Sequence, residues 1–284
     1  MGILLALASL GFAGVNDFVF KQYIHKDGQP LGRFVTGAGL VWAIVFGVAM
    51  LTTETAPTLV YWPISVAAGV MSVLANLLLI GSFRVVPAGT GATIYRLNLV
   101  VVAVMGVALL AESVTAWKIV GVCLGGLSIV LLRNGRRDGP HQAGRHYGFA
   151  IGALVVACLL RAGMGILYKL ASVHGIPQFQ MLTISGLCWV VGGLAFSLIR
   201  GEPARPGRRT WRFAVLSGLL ICGIVYFLLR ATRFGEASIV VPISQLSFVL
   251  TSVLGVMFHS EVFGTRKVAA LAAAALCVVA LSIS

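Results

Sequence analysis

Ala111-Glu112-Ser113-Val114-Thr115-Ala116-Trp117-Lys118 and Ser260-Glu261-Val262-Phe263-Gly264-Thr265-Arg266-Lys267 read as two copies of one short connector. A slide of 149 residues carries Glu112 onto Glu261 and Lys118 onto Lys267. The same slide carries Arg84 onto Arg233, Ala88 onto Ala237 and Gly106 onto Gly255, and a slide of 148 carries Lys21 onto Lys169. The chain is therefore an internal repeat. Each copy holds five apolar segments, and a spanning helix needs about 20 residues. Five is odd, so the second copy enters the membrane with the opposite orientation. The predicted fold is an all-α integral membrane protein with ten transmembrane helices as two inverted five-helix repeats.

Working outward, charges, prolines and loop residues place the segments near 2–23, 31–51, 60–83, 88–110 and 115–132, then 148–170, 178–199, 211–229, 237–258 and 266–283. The domain organisation this implies is a first repeat at 1–132, a basic connector at 133–147 and an inverted second repeat at 148–284. No Lys or Arg precedes the first segment and no small-residue cleavage site follows it, which reads as a retained helix.

Composition agrees. Of 284 residues, 59% are hydrophobic and 10% charged, with a mean hydropathy of +1.00. A soluble domain carries about 25% charged residues, so an ordinary soluble enzyme, a disordered chain and a secreted disulfide scaffold are excluded. The five cysteines (Cys123, Cys158, Cys188, Cys222, Cys277) all fall inside apolar runs with irregular spacing, which suits packed thiols and not a metal site.

The net charge of +13 is read through the positive-inside rule and not as nucleic-acid binding. Two basic residues, Arg96 and Arg161, lie inside apolar runs. Four (Lys118, Lys169, Arg230, Arg233) fall in connectors on one side of the membrane. The remaining fifteen, including the run Arg200–Arg212, fall on the other. The crowded side is expected to be cytoplasmic, which puts both termini outside an inner (cytoplasmic) membrane. The bilayer is one expected partner.

The two connector copies, the Pro30-Leu31-Gly32-Arg33-Phe34 entry to the second segment, Gly121 in the fifth, and Ala88 with Ala237 resemble the drug/metabolite transporter superfamily, in particular its EamA-like family. The resemblance covers essentially the whole chain. Where that family has Gly before each motif Glu, this chain has Ala111 and Ser260. The resemblance implies a secondary transporter, many relatives being exporters of amino acids or other small metabolites.

Ionisable residues in the hydrocarbon core cost about 2.5–3.5 kcal/mol on insertion scales and persist where they face protein or water. Asp17, Arg96 and Arg161 are such residues. At a rise of 1.5 Å per residue, Asn16, Asp17, Asn76, Tyr95, Arg96 and Asn98 fall about 9–12 Å from one membrane face. Arg161, Tyr226 and Gln245 fall about 8–12 Å from the other. Two polar tiers bracketing the midplane would line a substrate cavity, with Trp42 and Trp189 as further lining. Arg96 suits a carboxylate or phosphate, because a guanidinium binds either bidentately and keeps its charge. Asp17 is the coupling candidate: it can pair with Arg96, hold a substrate ammonium, or carry a proton. A fixed Asp17–Arg96 pair with no transport role is the alternative. Two cations against one anion favour an anionic small-molecule substrate.

Glu112 and Glu261, at helix ends, read as structural, each bonding the N-terminus of the following helix. Gly121 and Gly125 permit close helix approach and form a packing seam or a dimer contact, so the chain is a monomer or a homodimer. Gly89, Gly91 and Pro242 are places for a bend. No His-Glu-x-x-His, Walker or Gly-x-Ser-x-Gly motif is present, and no cofactor, metal or catalytic residue is expected. A lipid-linked carrier flippase is the variant reading. An intramembrane enzyme and a channel are the other classes; they lack a nucleophile and repeated polar rings respectively.

Overall fold

The computed structural model describes residues 1–24, 29–53, 62–82, 86, 94–132, 145–247, 249–250 and 265–283. Among the described residues ten helices follow one another: α1 (Gly2–Ile24), α2 (Leu31–Thr53), α3 (Trp62–Ser82), α4 (Asn98–Leu110), α5 (Ala116–Leu132), α6 (Arg145–Val173), α7 (Gln178–Ile199), α8 (Arg208–Phe234), α9 (Ala237–Gln245) and α10 (Thr265–Ile283). In a lipid environment the backbone must satisfy its own hydrogen bonds, which leaves helix as the state for these apolar runs. Proline and glycine set their ends. Pro30 and Pro177 precede α2 and α7, and Gly175, at φ +65°, turns α6 into α7. Helix α6 starts inside the stretch expected to be the connector. Six of the helices carry an apolar window long enough to span a membrane, and Ile94–Leu110, Ala116–Leu131 and Val268–Ile283 are shorter apolar helices. Large apolar side chains such as Leu51, Phe149 and Val191 face outward, as lipid-facing surface does.

The packing has the symmetry of an inverted repeat. Helix αn of the first half corresponds to αn+5 of the second. The pairs α2/α7, α4/α9 and α5/α10 pack each helix on its own counterpart. The pairs α1/α8 and α3/α6 exchange with each other under the same correspondence, as do α2/α8 with α3/α7 and α1/α9 with α4/α6. The halves therefore interlock and do not sit side by side. One asymmetry stands out: α6 packs on α8, while its counterpart pair α1/α3 is not comparably packed among the described residues.

Glycine permits the central crossing. A Cβ on Gly193 of α7 would meet Thr36 N at 2.6 Å, and one on Gly32 of α2 would meet Ser197 N at 2.6 Å. No side chain fits at that backbone separation. The Gly121 and Gly125 seam faces α10 of the same chain: a Cβ on Gly121 would meet Leu281 Cγ at 2.7 Å and one on Gly125 would meet Cys277 Sγ at 3.2 Å. Ser128 Oγ donates to Ala270 O across the same interface at 2.7 Å. The seam is thus filled within one chain and is not available as a dimer contact.

Candidate functional site

Two helices break near the middle of the molecule at equivalent positions. The N–H of Leu97 bonds Ile94 O at 3.2 Å, and that of Leu246 bonds Ile243 O at 3.1 Å. The next turns match too, with Val100 N on Leu97 O at 3.0 Å and Val249 N on Leu246 O at 2.9 Å. These pairs are related by the 149-residue slide. Pro242 lies ahead of the second break, but its counterpart Thr93 is not a proline. Proline is therefore not the common cause.

The breaks meet. Arg96, beside the first, donates Nη1 to Gln245 O at 2.9 Å and to Ser247 Oγ at 3.1 Å. Gln245 is the residue onto which the slide carries Arg96. Its carbonyl ends α9, where helix-end carbonyls favour a cation. Nη2 of Arg96 pairs with Asp17 Oδ2 of α1 at 2.6 Å, and Ser247 Oγ donates to the same oxygen at 3.2 Å. The side chains of Arg96 and Asp17 are 17% and 36% exposed, so the pair is reachable by water. One junction thus ties α1 to both broken helices.

Around it lie polar groups without hydrogen-bond partners among the described residues. Asn98 is buried, with neither amide atom hydrogen-bonded among the described residues. Arg161 of α6 has a buried, unbonded Nε, a weak contact from Nη1 to Met164 Sδ at 3.6 Å, and no carboxylate within ion-pair distance among the described residues. Tyr95 lies in the electrostatic field of Arg161, Arg96 and Asp17 together, and Tyr168, whose hydroxyl has no partner among the described residues, in that of Arg161. Arg161 is half-buried and has no carboxylate partner among the described residues, so an incoming anion would find a guanidinium there to pair with.

Other expected lining residues are placed differently. Asn16 accepts from Ser217 Oγ at 2.6 Å and pins α1 to α8. Asn76 donates to Ser72 O of its own helix at 2.8 Å. Trp42 and Trp189 pack edge to face, centroids 5.6 Å apart, both buried, and Trp189 Nε1 donates to Ser72 Oγ at 3.0 Å. Tyr226 stacks on Phe179 and lines a separate cavity with Arg230 and Arg233. The two expected tiers are not two: Gln245 of one touches Arg96 of the other. Depths counted from helix ends assume unbroken helices, and these two are broken.

Glu112 does not bond the helix that follows it. Its Oε1 and Oε2 accept from Ala237 N at 2.7 Å and Ser238 N at 3.0 Å, the start of α9 in the opposite repeat. Ala111 just before it has φ +51°, a left-handed conformation suited to glycine. Glu261 and Ala88, with the bend candidates Gly89 and Gly91, lie outside the described residues. Sequence reading missed Glu202, whose carboxylate accepts from Gly32 N at 2.9 Å and Arg33 N at 3.0 Å at the start of α2. Its one signal is an acid standing alone in an arginine-rich loop. Lys118, counted among the connector residues of one membrane side, is buried against Glu236 and donates to Ser113 O at 2.6 Å. Lys169 latches α6 to α8 through Thr232 O at 3.0 Å and Gly235 O at 2.7 Å.

Ten helices in two interlocked inverted halves, with broken helices meeting at a charged junction, define a multi-pass membrane transporter. The chain belongs to the EamA-like transporter family, whose model matches residues 1–134 and again 148–283. That places it in the drug/metabolite transporter superfamily, among transporters of small molecules and not enzymes. An uncharacterized transporter in the cobO 3' region of Sinorhizobium sp is 31% identical over 111 residues, 36% of this chain and 77% of that one. A crystal structure described only as that of a protein superposes with a TM-score of 0.81 at 16% identity, covering 99% of this chain and 96% of that chain. At that identity the likeness shows the fold alone.

Proposed function

We propose that the protein is a secondary transporter for a small metabolite bearing a carboxylate or phosphate, amino-acid-like compounds included. It works by alternating access, with proton coupling or exchange. The observation that carries this reading is that Arg96 is paired with Asp17 while Arg161, which acts on the same Tyr95, has no carboxylate within ion-pair distance among the described residues. The net positive charge calls for an anion. Arg161 receives it first, with Asn98 and Tyr95 offering hydrogen bonds. Arg96 joins when Asp17 lets go, by protonation or by displacement. Because Arg96 also holds Gln245 O and Ser247 Oγ, its release from Asp17 changes what ties α1 to both breaks. A binding event is thereby felt by both halves.

The protein acts as a monomer or a homodimer, each chain with repeats at 1–132 and 148–284 joined by 133–147. It sits in an inner membrane with both termini outside, the side lacking the arginine-rich loops. The test is uptake and efflux in proteoliposomes with a panel of amino acids, carboxylates and phosphate esters. Arg161→Gln and Arg96→Ala are expected to abolish transport of the accepted solute while the protein stays folded. Unchanged transport in both variants overturns the site.

A further inference from the structure

A cavity lies away from the junction, at the end of the bundle where α2 and α8 finish and α7 begins. Its volume is about 360 Å³. Its lining includes Gln178, Phe179, Tyr226, Arg230 and Arg233, and no residue of the Asp17–Arg96 junction. Neither Arg230 nor Arg233 has a carboxylate within ion-pair distance among the described residues. Arg230 lies 5.7 Å from the centroid of the Phe234 ring, and Arg233 donates Nη2 to Ile176 O at 3.2 Å, which fixes it at the rim. Gln178 is 5% exposed, and its Nε2 has no hydrogen-bond partner among the described residues. It is the first residue of α7, whose start has no side-chain cap. A buried amide donor without an acceptor costs about 1–3 kcal/mol, and an uncapped helix start attracts negative charge. Two guanidiniums, an orphaned donor and a helix N-terminus thus converge on one volume. On the same two helices the Phe179 and Tyr226 rings lie nearly parallel, 8° apart in plane with centroids at 6.3 Å, and give the lining its apolar part.

We propose that this cavity is an anion-binding subsite for a molecule that joins an anionic oxygen group to an apolar body. A small aromatic acid from solution and the phosphate end of a membrane lipid share that chemistry. The anionic group meets Arg230, Arg233 and the Gln178 amide, and the apolar body lies against Tyr226 and Phe179. The subsite stands apart from the junction and does not depend on what the junction binds.

The test is binding of radiolabelled benzoate to the full chain in phosphatidylcholine nanodiscs. Arg230→Gln and Gln178→Leu are expected to weaken a saturable component about tenfold, the worth of one charge-assisted hydrogen bond. Arg230→Lys should recover part of it. Arg161→Gln, at the junction, should leave that component in place. Adding phosphatidylglycerol to the nanodiscs separates the sources: displacement of benzoate identifies lipid phosphate as the occupant, and undiminished binding identifies a free acid. The proposal is overturned if Arg230→Gln and Gln178→Leu leave the isotherm unchanged. It is equally overturned if wild-type protein binds neither benzoate nor phosphatidylglycerol above background. Loss of transport in the junction variants with benzoate binding intact separates the two readings.

Discussion

Asp17→Asn is the perturbation that best separates coupling from simple ion pairing. Asp17 Oδ2 holds Arg96 Nη2 at 2.6 Å and Ser247 Oγ at 3.2 Å. An anion that reaches Arg96 must replace the first of these bonds. A hydrogen bond to a charged group is worth about 1.5–3 kcal/mol. The carboxylate is 36% exposed, and solvent weakens such pairs, so the low end applies. About 1.5 kcal/mol corresponds to about tenfold in affinity. Asparagine keeps the shape and an acceptor oxygen but surrenders the competing charge. The expected result is a transported anion bound about tenfold more tightly, together with loss of any dependence on the proton gradient. Arg96→Ala should weaken binding by at least the same factor. The assay is equilibrium binding of the solute that wild-type proteoliposomes transport, with thermal melting in detergent run in parallel. Weaker binding in Asp17→Asn would refute the competition argument, because it would mean that the carboxylate holds the substrate itself.

Four other outcomes follow from the same geometry. Ala111→Gly relieves a left-handed conformation that costs an L-residue roughly 1–2 kcal/mol, so the melting temperature should rise. Glu112→Gln removes the charge from two hydrogen bonds at the start of α9; a loss of about 1–3 kcal/mol should lower the melting temperature, and an unchanged value would mean that the clamp carries no stability. Gly193→Ile places a branched side chain where backbone atoms of α2 already stand, and monodisperse protein should not be recovered on size-exclusion chromatography. A cysteine at Arg205 should resist a membrane-impermeant thiol reagent in intact cells; ready labelling would reverse the orientation inferred from loop charge.

The ten apolar segments, the halving of the chain and the inversion were legible because each rests on a local signal. Hydropathy marks segments, an odd count forces inversion, and Glu112, Glu261, Lys118 and Lys267 mark the period. Asp17, Arg96 and Arg161 were legible as well, since a charge in an apolar run is visible without a partner. The partners were not. Nothing about Leu97 or Leu246 announces a broken helix, because leucine is a good helix former. The clamp by Glu202 on residues 170 and 169 positions away had only an isolated acid to signal it. The seam at Gly121 was visible as small residues, but whether it faced α10 or a second copy was not.

The sequence by itself determined that this chain spans a membrane in two inverted halves, and which charges lie too deep to be loop anchors. Hydropathy and period are properties of neighbouring residues, so they need no fold to be read. Only the tertiary structure decided that Arg96 is engaged while Arg161 meets no carboxylate among the described residues, that the two breaks coincide, and that Glu112 serves the opposite repeat. Those facts depend on contacts such as Asp17 with Ser247, 230 positions apart, and such contacts exist only once the halves have interlocked.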